Sequence, residues 1–198
     1  MKIKDAFEEV FTGYNIANAA VKDKYSKIYK TLYKDSIQYT NIMDSRLIEK
    51  AFTGEIKKKY FIKPRDILIF VKKPYRVGTY NHEVREDIVI PNNFVVLRGI
   101  NMDYYSYIFA SNYLEKVGIK KYIEDNKFVG NLTVGDIREI ELPDVSKEKQ
   151  MTISPLLNAI NDRSAIYTNI LDNDEKIINY AIESITGDEN DKWVNGRY

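Results

Sequence analysis

The chain has 198 residues, 44% hydrophobic and 30% charged, enough for one ordinary domain with an appendage and too apolar to read as disordered. With no cysteine and one histidine, a Cys/His zinc site within one chain is excluded, and a reducing, cytoplasmic setting is expected. The formal charge of +1 hides an asymmetry: residues 1–80 hold 17 Lys+Arg against 9 Asp+Glu, and residues 81–198 hold 13 against 20, so a basic front and an acidic back suggest two partners, one of them polyanionic.

No apolar run approaches membrane-spanning length, and "MKIKDAFEEV" carries acidic residues where a signal peptide needs an apolar stretch, so neither a membrane span nor secretion is expected. Short segments rich in Ile, Val, Tyr and Phe, bounded by Pro, Gly and Asn, predict strands at 27–33, 66–71, 77–80, 87–90 and 94–98. The apolar run at 67–71 ends in Lys72, Lys73, Pro74, Tyr75 and Arg76. That tip is either a solvated hairpin turn or a group aimed at something negatively charged with flat rings. Tyrosine occurs 16 times and mixes with lysine in "KDKYSKIYKTLYKDSIQY", a pairing that suits wet, polar interfaces, although Tyr is also a good strand residue. Asp103 is placed to cap a helix with an apolar stripe over 107–114, which Gly118 is expected to end. A second short helix follows in "IKKYIEDN", and "TVGDIREIELP" reads as a turn and short helix leading into a strand that Pro143 closes.

Residues 146–187 have a different character. Ile153, Leu156, Leu157, Ile160, Tyr167, Ile170, Leu171, Ile177, Ile178, Ala181 and Ile185 recur at offsets of three, four and seven, one face of a long helix. Ser154 followed by Pro155 predicts the start of the main helix, with a short helix from Ser146 before it and a kink between. Gly187 is the expected stop. A rod of about 32 residues is about 48 Å long, so much of the stripe is expected to need another helix rather than its own domain. Asp174 interrupts the stripe and is expected to set register or meet a partner's charge. The polar tail at 188–198 is expected to be flexible.

Catalytic patterns are missing. There is no Gly-rich phosphate loop, no Gly-x-Ser-x-Gly elbow and no cysteine nucleophile, and the Asn/Asp-Pro-Pro-Tyr/Phe pattern of methyltransferases does not occur. His82 beside Glu83 has the chemistry of a general base, but a lone histidine in a polar loop is more often a surface residue. "REIELP" and "GEIKKKY" are weak look-alikes of a nuclease metal motif. The chain is therefore read as binding rather than catalysing, and no cofactor or metal is expected on it.

Three segments resemble the specificity subunits of type I restriction–modification enzymes. The first, "IKPRDILIFVKKPYRVG" with "IPNNFVVLR" (62–98), is similar to that family's Asp-Ile-Leu-Ile strand, basic turn and later Asn-Phe-x-x-Leu-Arg strand. The second, "VGNLTVGDIREIELPDVSKEKQ" (129–150), resembles its closing segment. The third, "LLNAINDRSAIYTNILDNDEKIINYAIESITG" (156–187), is similar to its spacer helix. "IKDAFEEVFTGYN" and "YKTLYKDSI" match more loosely. Full-size members have two recognition domains and two spacer helices; this chain has one of each, so it looks like a half-size subunit or a truncated or silent copy.

The resemblance implies an α+β fold, with a globular mixed α/β target-recognition domain at 1–145 and a long C-terminal helix at 146–187. It implies a non-catalytic subunit that reads one half of a bipartite double-stranded DNA site. The helix would dock methyltransferase subunits, and possibly restriction subunits, with S-adenosylmethionine on the methyltransferase. Lys72, Lys73, Tyr75 and Arg76 are the expected reading tip. Lys22, Lys24, Lys27, Lys57, Lys58, Lys59, Lys120 and Lys121 are phosphate candidates. Arg76, Asn81, His82, Asn92 and Asn93 carry groups suited to base edges, and Arg98 is read as structural. Ile153, Leu157, Ile160, Tyr167, Leu171, Ile178 and Ile185 are expected to form a homodimer or partner seam, a coiled coil. The competing reading is a non-DNA protein-interaction module with an oligomerising helix.

Overall fold

In a computed structural model the described residues are 1–16, 26–80, 87–99 and 102–186. The strands are β1 (Glu9–Thr12), β2 (Lys27–Thr31), β3 (Ile37–Gln38), β4 (Asn41–Ile42), β5 (Ile48–Phe52), β6 (Ile67–Phe70), β7 (Arg76–Thr79), β8 (Ile88–Val89) and β9 (Phe94–Arg98). The helices are α1 (Ile3–Ala6), α2 (Tyr104–Tyr113), α3 (Ile119–Asp125), α4 (Val134–Glu139) and α5 (Lys147–Thr186). The fold is the expected mixed α/β unit followed by a long helix. The strands expected at 27–33, 66–71, 77–80, 87–90 and 94–98 are all found: 94–98 unchanged, 77–80 shifted by one residue to 76–79, and the others shortened by one or two residues. β1, β3, β4 and β5 carried no signal that the sequence reading used.

A six-stranded sheet has the order β1-β9-β6-β7-β4-β3, and a three-stranded sheet the order β5-β2-β8. β6 is central and covered on both faces, so Ile67, Leu68, Ile69 and Phe70 are all buried, which is why its sequence is continuously apolar rather than alternating. Successive side chains still point to opposite faces. Ile67 and Ile69 join Val95 and Leu97 against helical residues such as Ile3, Ile108 and Ile137. Leu68 and Phe70 join Phe94 and Val96 against Leu32, Ile62 and Ile88 on the other side. Arg98 lies deep at the end of β9. Its Nε and Nη2 donate to the two carboxylate oxygens of Asp66 at 2.8 and 2.7 Å, and Nη1 and Nη2 reach the carbonyls of Lys59 and Phe61. Burial pushes the Asp66 carboxyl up, against the pull of Arg98. The structural reading of Arg98 agrees with these contacts.

An aromatic cluster covers the smaller sheet and reaches the larger one where Phe11 of β1 meets Tyr60 at 6.5 Å. Tyr14 stacks edgewise on Tyr60 (5.4 Å) and Phe52 (6.1 Å), and Tyr29 lies 5.5 Å from Phe61 and 5.9 Å from Phe52. Tyr29, the one ring of the lysine–tyrosine stretch in this cluster among the described residues, therefore serves packing rather than a polar interface.

The helices depart from expectation at two places. Asp103 caps α2 as expected, accepting from the amides of Tyr105 and Ser106. Burial works against its carboxylate, but the Ser106 and Lys147 contacts hold it below its usual range. Gly118 does not end the helix. The chain passes through it in a π turn, Leu114–Gly118, and continues as α3. A Cβ at Gly118 would meet the Tyr113 ring at 2.9 Å, so the glycine answers a packing need. The helix ends instead at Asn126 and Lys127, the latter with φ 49°. The strand expected before Pro143 reduces to a single bridge between Glu141 and Lys2.

The second departure is α5, which is one helix of 40 residues, about 60 Å, with Pro155 inside it and no separate first helix. An interior proline costs about 3 kcal/mol because it removes a backbone donor. Tertiary bonds on the turn before it offset that cost. Ser106 Oγ donates to Gln150 Oε1 at 2.6 Å, the Gln150 side chain being oriented by a local bond from its Nε2 to Val145 O at 2.8 Å, and Ser154 Oγ donates to Tyr105 O at 2.8 Å. Ser154 is thereby a docking group and not a cap. The same seam runs on: Asn161 donates to Thr40 Oγ1 (2.6 Å) and Asn112 Oδ1 (3.0 Å), and Arg46 makes a two-pronged pair with Asp172 (2.6 and 3.1 Å). Most of the apolar stripe stays off the domain, as its length led one to expect, and it is the opposite, polar side of α5 that docks. That side packs along the domain from Lys147 to Asp172. Gly187 and the tail lie outside the described residues.

Candidate nucleic-acid interface and helix face

β6 and β7 pair antiparallel, with Phe70 opposite Arg76, and so present Lys72–Tyr75 as a tip. Two neighbours hold it. The Val71 amide donates to Asn93 O at 3.1 Å, and Leu132 N donates to Val71 O at 3.0 Å. Tyr75 Oη donates to Gly130 O at 2.5 Å. Lys72 and Lys73 are exposed, whereas Tyr75 is half-buried. Tyr75 is thus a brace of the tip rather than a free stacking ring.

Arg76 is half-exposed and lies 3.6 Å from Glu115. Glu115 also accepts the Val77 amide at 2.6 Å, and burial pushes its carboxyl above the usual range. Glu115 was not legible as a site residue, because it belongs to the π turn and only the tertiary fold brings it to the tip. Asn92 and Asn93 form the turn before β9, at the same end of the sheet, and Asn92 donates to Asn15 Oδ1 at 3.4 Å. The Asn93 Oδ1 is buried and takes no hydrogen bond among the described residues. Lys120 shares with Tyr75 and Glu115 the lining of a cavity of about 240 Å³. One end of the sheet therefore gathers Lys72, Lys73, Tyr75, Arg76, Asn92, Asn93 and Lys120.

The other phosphate candidates lie elsewhere. Lys57, Lys58 and Lys59 sit at the Arg98 end of β9, about 13 Å from its Phe94 end. The Lys59 ammonium lies over the Tyr60 ring at 4.8 Å and is partly engaged there. Lys27 is exposed on β2, opposite Phe52. Lys121 lines a cavity with Glu139, Glu141 and Asp125, surroundings poor for a phosphate. Lys22, Lys24, Asn81 and His82 lie outside the described residues. Among the described residues no cluster of His, Asp and Glu is arranged to hold a metal ion, and no helix is long and apolar enough to cross a membrane.

On α5 the stripe faces away from the domain. Tyr167 is 61% exposed, Leu171 67% and Ile185 84%; Ile153, Ile160 and Ile178 are exposed too. Leu157 is the exception and packs on the domain core. The head-facing positions 150, 154, 157, 161, 165, 168 and 172 fall within about 40° of one another's mean direction at 100° per residue, and the stripe is centred about 135° away. An apolar face of this length left in water marks an interaction surface.

No protein-family model matches the chain, and no curated protein matches it. Solved structures do. The chain is similar to the S subunit of a type I restriction–modification system from M. genitalium, with 16% identity and a TM-score of 0.52 over 96% of this chain and 46% of that one. It is also similar to a chain from a structure on complex assembly and conformational transition of the type I R-M system, with 15% identity and a TM-score of 0.53 over 93% of this chain and 43% of that one. The fold is that of a type I specificity subunit, and this chain spans less than half the length of the structures it matches. The family resemblance carried by the sequence and the likeness of fold point the same way.

Proposed function

We propose that this chain is a DNA-recognition subunit of a type I restriction–modification complex. The tip at Lys72–Arg76 is the observation that carries the reading: two exposed lysines and a half-exposed arginine on a turn braced by Tyr75, Asn93 and Leu132, beside Asn92. Bracing lowers the entropy lost when such a turn enters a groove. Lys72, Lys73, Lys120, Lys57, Lys58 and Lys27 supply phosphate contacts, which hold the duplex without reading it. Arg76 and Asn92 offer the forked donors and acceptors that base edges require, whereas the Asn93 side-chain oxygen is buried and Asn93 serves the turn through its backbone. The chain contributes no reacting group; methyl transfer belongs to docked subunits carrying S-adenosylmethionine. The stripe on α5 joins two copies, so that two heads read a twofold-symmetric interrupted site in the cytoplasm.

The test is fluorescence anisotropy with a random-sequence duplex across a salt series. Six phosphate contacts lower affinity by about a thousandfold between about 50 and 200 mM salt. A loss below about tenfold, or no binding at the lowest salt with the methyltransferase subunit present, overturns the DNA reading. The exposed stripe then favours a protein-interaction module.

A further inference from the structure

The exposed stripe of α5 holds two charges, Arg163 and Asp174, both exposed and neither ion-paired among the described residues. Each is isolated by its own helix. Positions three and four away from Arg163 are Ala159, Ile160, Ile166 and Tyr167, and those from Asp174 are Ile170, Leu171, Ile177 and Ile178. The two charges are eleven residues apart, about 16 Å along the axis, too far to meet each other within one helix.

We infer that the stripe is covered by a second copy of this chain, antiparallel and in one register, with Arg163 of each copy against Asp174 of the other. This rests on the dimer in the proposed function and deepens it. A twofold axis between residues 168 and 169 creates both pairs at once, since in such an interface a contact made one way recurs the other way. The same axis sets Ile160 against Ile177, Leu156 against Ala181, and Tyr167 against Ile170, so apolar faces apolar along the seam. A parallel pair would set Arg163 on Arg163 and Asp174 on Asp174, like charges in an apolar seam. An antiparallel slip of one heptad would leave Arg163 against Ala181 or Tyr167. The overlap runs from residue 151 to 186, about 54 Å, and the face it uses is not the one held by the head.

The chain has no cysteine, which makes cross-linking clean. Ile160→Cys and Ile177→Cys chains are mixed and oxidised, and sedimentation is run on wild type, Arg163→Asp, and Arg163→Asp/Asp174→Arg, each checked for helix content. The expected result is a cross-link in the mixture, none in either variant alone, a dimer dissociation constant raised about tenfold or more by the single reversal, and its recovery to within about threefold in the double reversal. A wild-type dimer in which Ile160→Cys cross-links to itself, or in which the reversals change nothing, overturns the register and leaves the dimer standing. A wild-type monomer at about 50 μM overturns both and assigns the stripe to another protein. DNA binding is read separately by anisotropy, so its failure is distinguishable from either.

Discussion

Replacing Asn161 by alanine tests how α5 is held. Asn161 is 7% exposed, and its side-chain amide donates at 2.6 Å to Thr40 Oγ1 and at 3.0 Å to Asn112 Oδ1. Alanine removes both donations and leaves two acceptors in a dry seam. At about 1–3 kcal/mol for each buried group left unpaired, with partial relaxation, the loss comes to about 2–4 kcal/mol. For a chain of this size each kcal/mol moves Tm by about 2–4 °C, so Tm falls by about 4–16 °C. Urea unfolding followed by circular dichroism at one fixed protein concentration gives the free energy. Asn173→Ala is the control, because Asn173 is exposed on the same helix, and it is expected to stay within about 0.5 kcal/mol. A loss below about 0.5 kcal/mol for Asn161→Ala would show that the polar seam does not hold the helix to the domain.

Three further outcomes are expected. Arg76→Ala costs about 1–3 kcal/mol of binding to the recognised site and relaxes specificity, while Lys58→Ala weakens all duplexes alike; equal effects of Arg76→Ala on recognised and random DNA would refute base reading. Tyr39 and Thr40 both have positive φ, 48° and 65°, in the two-residue turn between β3 and β4, so Tyr39→Asn, which tolerates that conformation better, raises stability by about 0.5–1 kcal/mol in the same urea assay; a neutral or destabilising result removes the strain argument. Hydrogen bonds from Lys2 and Lys4 hold the Glu139 carboxyl down to about 2 from its ordinary 4.5. A depressed carboxylate contributes stability that is present above 4.5 and is lost as pH falls toward 2, so the wild type loses more stability across that window than Glu139→Gln, and parallel pH curves would contradict the pairing.

The parts of this protein legible in the sequence are those set by local chemistry. Ile67–Phe70 needs burial on both sides, Asp103 caps, and an apolar pattern at offsets of three, four and seven requires a long helix. The basic tip was legible for the same reason, since an apolar strand that ends in Lys72 and Lys73 must turn into water. What the pattern does not contain is a choice between faces. α5 has an apolar face and a polar one, and hydrophobicity alone assigns the apolar face to the domain or to a partner without deciding which. The tertiary structure decides it through hydrogen bonds between residues more than 40 positions apart: Ser154 to Tyr105, Asn161 to Thr40 and Asn112, Arg46 to Asp172. Those bonds also keep Pro155 inside a helix that its local preference would have started there. Gly118 is the same lesson on a smaller scale. Read locally, a glycine after an apolar stripe is a stop; set under the Tyr113 ring, it is a space. Glu115 reaches the basic tip through the π turn that includes that glycine, where it accepts the Val77 amide of β7. Periodicity and capping follow from neighbours in the chain, whereas the occupant of each face follows from neighbours in space, and only the folded chain supplies those.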